Sequence, residues 1–85
     1  MTVRLEHVNL IVRSIDDSIL FLQTAFPEFV VRSDSVDAVG RRWVHIGTDD
    51  TYVALNEASR EPVTRYVPYT GFPGVNHVAL SLIHI

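Results

Sequence analysis

With 85 residues the chain has the length of one domain, and a domain this small buries only about 60% of the surface its unfolded chain exposes. It contains no cysteine, which excludes disulfides and thiolate metal sites, so added support must come from a metal, a ligand or a second subunit. Its formal net charge is -3 and all seven basic residues are arginine, a balance that leaves no basic footprint for a nucleic-acid backbone.

A hydrophobic fraction of 47% is that of a folded domain rather than a disordered chain. No apolar run approaches the roughly 20 residues of a membrane span, and the opening Met1-Thr2-Val3-Arg4-Leu5-Glu6-His7 has neither a charged-then-apolar leader nor a cleavage site. The expectation is a soluble, cytoplasmic protein that binds neither nucleic acid nor membrane.

Val3 to Arg13 alternates as a strand does. Val8, Leu10 and Val12 fall on a uniformly apolar face suited to a core. Leu5, His7, Asn9 and Ile11 fall on the other, whose polar members suit a cleft or an interface. Ser14 then offers a helix-capping hydroxyl, with Asp16 and Asp17 in the first turn complementing the helix dipole; these two carboxylates read as capping and solvated. Ile15, Ile19, Leu22 and Phe26 recur as one helical stripe, which Leu20 and Phe21 widen, and Pro27 stops the helix at Phe26.

Phe29 to Ser33 is a short β-branched strand, followed by a turn-rich stretch from Asp34 to Gly40. Arg41–Ile46 and Thr51–Asn56 flank Gly47-Thr48-Asp49-Asp50, which reads as a hairpin loop. On the first arm Val44 and Ile46 share a face and leave Trp43 and His45 opposite. On the second, Val53 and Leu55 leave Tyr52, Ala54 and Asn56 opposite. The stretch from 58 to 74 holds three of the four prolines and no periodicity, as a linker does. Val75 to Ile85 is strand-like again. The organisation is therefore α+β: a βαβββ module over 1–57, a linker loop over 58–74, and an additional C-terminal strand over 75–85.

Two segments repeat. Glu6-His7-Val8-Asn9-Leu10-Ile11-Val12 and Asn76-His77-Val78-Ala79-Leu80-Ser81-Leu82 share His-Val-x-Leu, with the histidines 70 residues apart. In both, the apolar residues after the histidine take one face, expected to be buried, and the histidine takes the other.

This organisation resembles the vicinal oxygen chelate superfamily, the glyoxalase, bleomycin-resistance and extradiol-dioxygenase group, whose members pair two βαβββ modules around a U-shaped cleft. The resemblance rests on His7-Val8-Asn9-Leu10, then Ser18-Ile19-Leu20-Phe21, then Trp43 to Glu57, with His77-Val78-Ala79-Leu80 restarting the pattern as the first strand of an incomplete second module. Ser14 stands where the family often has Asp, and Phe26-Pro27-Glu28-Phe29 replaces its usual Leu-Gly-Phe.

The resemblance implies that His7 and His77 each give a ligand to one divalent ion, Zn, Ni, Fe or Mn. Glu57 is the carboxylate nearest to where the first module's last strand would supply another. Strict alternation opposes it, because Glu57 shares the face of Val53 and Leu55; a bulge would have to reset its phase. Asn9, Trp43, His45, Tyr52 and Asn56 have the phase of substrate-binding side chains lining an apolar cleft with polar handles, or of a subunit interface. His84 is off phase from His77 and does not join the set.

Three readings stay open: a divalent-metal-dependent lyase or dioxygenase acting on a small oxygenated substrate, a metal-free module that sequesters a small molecule, and a remnant without catalysis. An uncovered apolar C-terminal strand also predicts a homodimer, with strand exchange one way to form it.

Overall fold

The computed structural model describes residues 2–58 and 74–83. The element order is β1 (Thr2–Val12), α1 (Ile15–Ala25), β2 (Val30–Val36), β3 (Arg42–Gly47), β4 (Tyr52–Glu57) and β5 (Gly74–Ile83). All five strands join one mixed sheet in the order β2-β3-β4-β1-β5. β1 runs parallel to β4, and every other pairing is antiparallel. This is a small α+β domain. The linker expected over 58–74 lies outside the described residues except at its ends, as do His84 and Ile85.

α1 begins where its cap dictates. The Ser14 hydroxyl accepts from the Asp17 amide at 3.1 Å, and Asp16 and Asp17 occupy the first turn as solvent-facing carboxylates. Phe26 becomes the C-cap, its N–H bonded to the Leu22 carbonyl, one residue before Pro27. The helix lies over β3 and β4. Ile15, Ile19 and Leu22 pack there against Val44, Ile46 and Leu55, with Leu10, Val12, Phe29, Val31 and Val53 around them.

The wide stripe expected of α1 is narrower. Leu20 and Phe21 are 67% and 64% exposed. They stand about 100° and 200° around the helix from Ile19, too far for either to reach the same sheet.

β2 runs three residues past the expected Ser33, through Asp34, Ser35 and Val36. Pairing with β3 extends it, from Val30 opposite Gly47 to Val36 opposite Arg42. Arg42 anchors that end by donating to both Asp34 carboxylate oxygens, at 2.9 and 2.7 Å, and to Asp16 at 2.8 Å. The hairpin between β3 and β4 turns over Thr48–Thr51, closed by the Thr48 amide on the Thr51 carbonyl at 2.9 Å. Gly47 belongs to β3 instead of the loop, and only glycine fits: a Cβ there would fall 2.6 Å from Tyr52 Cα and against the Thr51 carbonyl.

The largest departure from the sequence reading lies between β1 and β5. Leu5 pairs with Leu80 but His7 with Ala79, so Glu6 is an extra residue in β1. Asn9 pairs with His77 but Leu10 with Val75, so Asn76 is an extra residue in β5. The Glu6 bulge turns Leu5 away from the His7 face onto the face of Val8 and Leu80. On β5 that face is more than half exposed at the described residues. Val78 and Leu80, expected in the core, are 56% and 66% exposed, while α1 packs mainly over β3 and β4.

Candidate functional site

The sheet face opposite α1 carries the candidate residues. His7 and Tyr52 are register partners across β1 and β4, Ala54 lies between His45 and Asn9, and Asn56 lies between Trp43 and Ile11. Aromatic rings therefore form a continuous row across four strands. Trp43 lies 4.9 Å from His45, His45 stacks on Tyr52 at 4.6 Å, Tyr52 stacks on His7 at 4.6 Å, and His7 meets His77 edge-on at 5.1 Å. The row closes over Ala54, which is 2% exposed. Beside it the Asn56 amide donates to the Asn9 side-chain oxygen at 2.7 Å.

At one end of the row the two histidines converge, with their Nε2 atoms 3.0 Å apart. The backbone explains why. In each copy of the repeat the strand bulges at the residue just before the histidine, Glu6 in β1 and Asn76 in β5. Val8 pairs with Val78, His7 with Ala79 and Asn9 with His77, so a local two-fold passes through the valine pair and relates the histidines diagonally. The sequence repeat is thus a repeat of geometry, and it aims both imidazoles at one point.

Glu6 adds a third group. Its carboxylate oxygen lies 3.0 Å from His7 Nδ1. A carboxylate only accepts, so His7 donates from Nδ1; with both rings neutral, its Nε2 lone pair receives the His77 Nε2–H. A ligating histidine usually has its second nitrogen held by a carboxylate, a backbone carbonyl or a water. The Glu6 side chain is otherwise open to solvent, whereas that of His7 is only 13% exposed.

Two bonds of about 2.1 Å from one ion would place the nitrogens about 3.0 Å apart at a right angle and about 3.4 Å apart in a tetrahedron. The observed 3.0 Å fits the right-angle pair. That 3.0 Å is also the length of the hydrogen bond that joins the two rings. Among the described residues no cluster of three His, Cys, Asp or Glu side chains is set for a metal.

Two groups on this face have shifted proton affinities. Burial, with a smaller contribution from repulsion by His7, pushes the His45 imidazole below its ordinary pKa. Burial, helped by the Glu6 charge, pushes the Tyr52 phenol above its own. Each shift favours the neutral form of its own ring.

His7, Asn9, Trp43, His45, Tyr52, Asn56 and His77 therefore share the face the sequence assigned to them. Glu57 does not. It pairs with Val12 at the far end of the ladder, on the α1 face with Leu55, and about 17 Å along β4 from Tyr52. Neither the β4–β1 nor the β4–β3 pairing contains a register shift, so nothing resets its phase. Glu57 stands at the strand end, away from the two histidines.

The residues missed are Glu6 and Thr51, whose hydroxyl lies 3.2 Å from the Leu5 carbonyl and 3.0 Å from that of Glu6. Strict alternation hides Glu6 by placing it on the wrong face. A hydrogen-bonding residue before each repeated histidine was the one visible signal.

No protein-family model, curated protein or solved structure matches the chain.

Proposed function

We propose that this chain is a small-ligand or metal-binding module of the vicinal oxygen chelate kind, in which His7 and His77 hold one divalent transition-metal ion on the sheet face opposite α1. The observation that carries the reading is the 3.0 Å approach of the two Nε2 atoms from strands 70 residues apart. Its support is the matched bulge before each histidine and the Glu6 carboxylate on His7 Nδ1. Imidazole suits zinc, nickel and iron, and manganese where carboxylate or water completes the shell.

A divalent ion held here would polarise the oxygens of a bound substrate. The chain's own residues would do the rest: Glu6 fixes the His7 proton on Nδ1, the Trp43–His45–Tyr52 row offers a flat uncharged wall, and Asn9 with Asn56 offers an amide donor and acceptor. Such a module is a lyase or dioxygenase where the remaining ligands and the substrate complete the ion's shell.

Isothermal titration of the purified chain with Ni²⁺ or Mn²⁺ tests this. Saturable uptake of one ion per pair of histidines is expected, lost in both His7→Ala and His77→Ala. Full uptake retained by both variants sinks the metal reading.

The aromatic row supports a second reading, sequestration of a small flat molecule without metal. Quenching of the single tryptophan, Trp43, by such a ligand in the presence of a chelator separates the two.

The partner we propose is a second copy of the chain, joined through β5. That strand is the sheet's edge among the described strands and carries no charged residue over Gly74–Ile83, whereas the opposite edge, β2, is marked by Arg32 and Asp34. Antiparallel pairing about Ala79 sets Val78 opposite the second copy's Leu80, covering two half-exposed side chains at once.

A further inference from the structure

Neighbouring residues in a regular strand point to opposite faces, so the side-chain bond between Glu6 and His7 exists only because β1 bulges at Glu6. A bulge takes backbone groups out of the ladder, and here the β1–β4 pairing begins only at His7 opposite Tyr52. The carbonyls of Leu5 and Glu6 lie just before that point. Thr51, the residue preceding β4, places its hydroxyl 3.2 Å from the first and 3.0 Å from the second. Thr51 is itself held, its carbonyl accepting from the Thr48 amide at 2.9 Å and its amide donating to the Thr48 hydroxyl at 3.4 Å. A tight loop whose entry requires Gly47 thus presents one hydroxyl to the two carbonyls that flank the extra residue.

We infer that Thr51 is a positioning residue for the His7–His77 site: its hydroxyl holds the Glu6 bulge, the bulge holds the Glu6 carboxylate on His7 Nδ1, and that contact leaves the Nε2 lone pair of His7 turned towards His77. Its consequence for metal rests on the reading proposed above; its consequence for the His7 tautomer does not. The chain of contacts is continuous: Thr51 Oγ1 to Glu6 O at 3.0 Å, Glu6 Oε1 to His7 Nδ1 at 3.0 Å, and His7 Nε2 to His77 Nε2 at 3.0 Å. A hydroxyl is required, because a methyl group in its place leaves both carbonyls without that donor.

The experiment compares the full chain with Thr51→Val, which keeps the shape and loses the hydroxyl, and Thr51→Ser, which keeps the hydroxyl. Imidazole ¹H–¹⁵N spectra of the metal-free proteins read the His7 tautomer directly, and titration with Ni²⁺ reads affinity. His7 should carry its proton on Nδ1 in the wild type and in Thr51→Ser. In Thr51→Val it should become a mixture of tautomers, with Ni²⁺ affinity reduced about tenfold or more. A wild-type tautomer in Thr51→Val overturns the inference. So does a Thr51→Ser protein whose His7 signal is scrambled, an outcome that stays readable even if the valine variant fails to fold. If the wild type takes up no Ni²⁺, the metal reading fails while the tautomer comparison still decides the role of Thr51. If Ni²⁺ binds wild type and Thr51→Val alike with the tautomer unchanged, the role of Thr51 fails and the metal reading stands.

Discussion

Leu55 and Leu80 occupy equivalent positions in the apolar pattern of their strands, and truncating each to alanine separates pattern from packing. Leu55 is 1% exposed in the cluster with Ile15, Val44 and Ile46, whereas Leu80 is 66% exposed. Leu55→Ala loses the burial of the removed carbons and leaves a cavity under α1, which together cost about 2.7–5 kcal/mol. Leu80→Ala removes a side chain that water already reaches and costs under about 1 kcal/mol. An 85-residue domain is stable by roughly 4–13 kcal/mol, so the first change removes a large share of the total and the second does not. Urea unfolding followed by Trp43 fluorescence and far-ultraviolet circular dichroism reads both, since Trp43 is the chain's one tryptophan. In the dilute limit the midpoint should fall steeply for Leu55→Ala and barely for Leu80→Ala. Equal losses at the lowest concentration refute the placement of β5's apolar face in solvent. A loss for Leu80→Ala that grows with protein concentration instead reports association through that face.

Ala79→Cys, in a chain with no native cysteine, should form a disulfide-linked dimer on mild oxidation, because antiparallel partners lie about 4.5–5.5 Å apart at Cα, within disulfide reach. Val30→Cys on β2 should not, and non-reducing electrophoresis showing both variants as monomers ends the β5 pairing proposal. Folding holds the His45 pKa below its ordinary value of about 6.5, so the unfolded chain binds the extra proton and stability falls as pH drops below about 6.5 towards the lowered value, with the full contribution present above it. His45→Asn should flatten the urea midpoint against pH below about 6.5; parallel curves for variant and wild type refute the assignment. Gly47→Ala should destabilise by about 1–3 kcal/mol, because its Cβ meets the Thr51 and Tyr52 backbone, and a melting temperature equal to wild type contradicts the close approach.

Periodicity carried much of this fold because it is a local property. The Ser14 cap, the Ile15–Ile19–Leu22 stripe and the Pro27 stop concern neighbours within a turn or two, and they set α1 to within a residue. The face of Trp43, His45, Tyr52 and Asn56 was legible for a similar reason: β3 and β4 pair without a register shift, so alternation holds along both. β2 was read short because Asp34 and Ser35 have turn chemistry, and only pairing with β3 and the Arg42 clamp overrides it. Burial of Val78 and Leu80 was misjudged because a strand's sequence shows which residues share a face and not whether a helix covers it. That depends on where α1 crosses the sheet, a property of residues some sixty positions away.

The site itself was half legible, and the missing half has one cause. Alternation found both histidines but excluded Glu6, since it puts successive residues on opposite faces. A single extra residue in each strand breaks that rule at the same place in both repeats, and the break makes the site. Without it Glu6 would face α1's side of the sheet, and His7 would have no carboxylate to fix its proton. The same shift sends Leu5 to the face of Val8 and Leu80, so one bulge sets a polar pair on one side and an apolar residue on the other. Thr51 lies across that junction from a different strand's loop. A change that straightens β1 at Glu6 should therefore weaken the histidine pair and redistribute the apolar edge together.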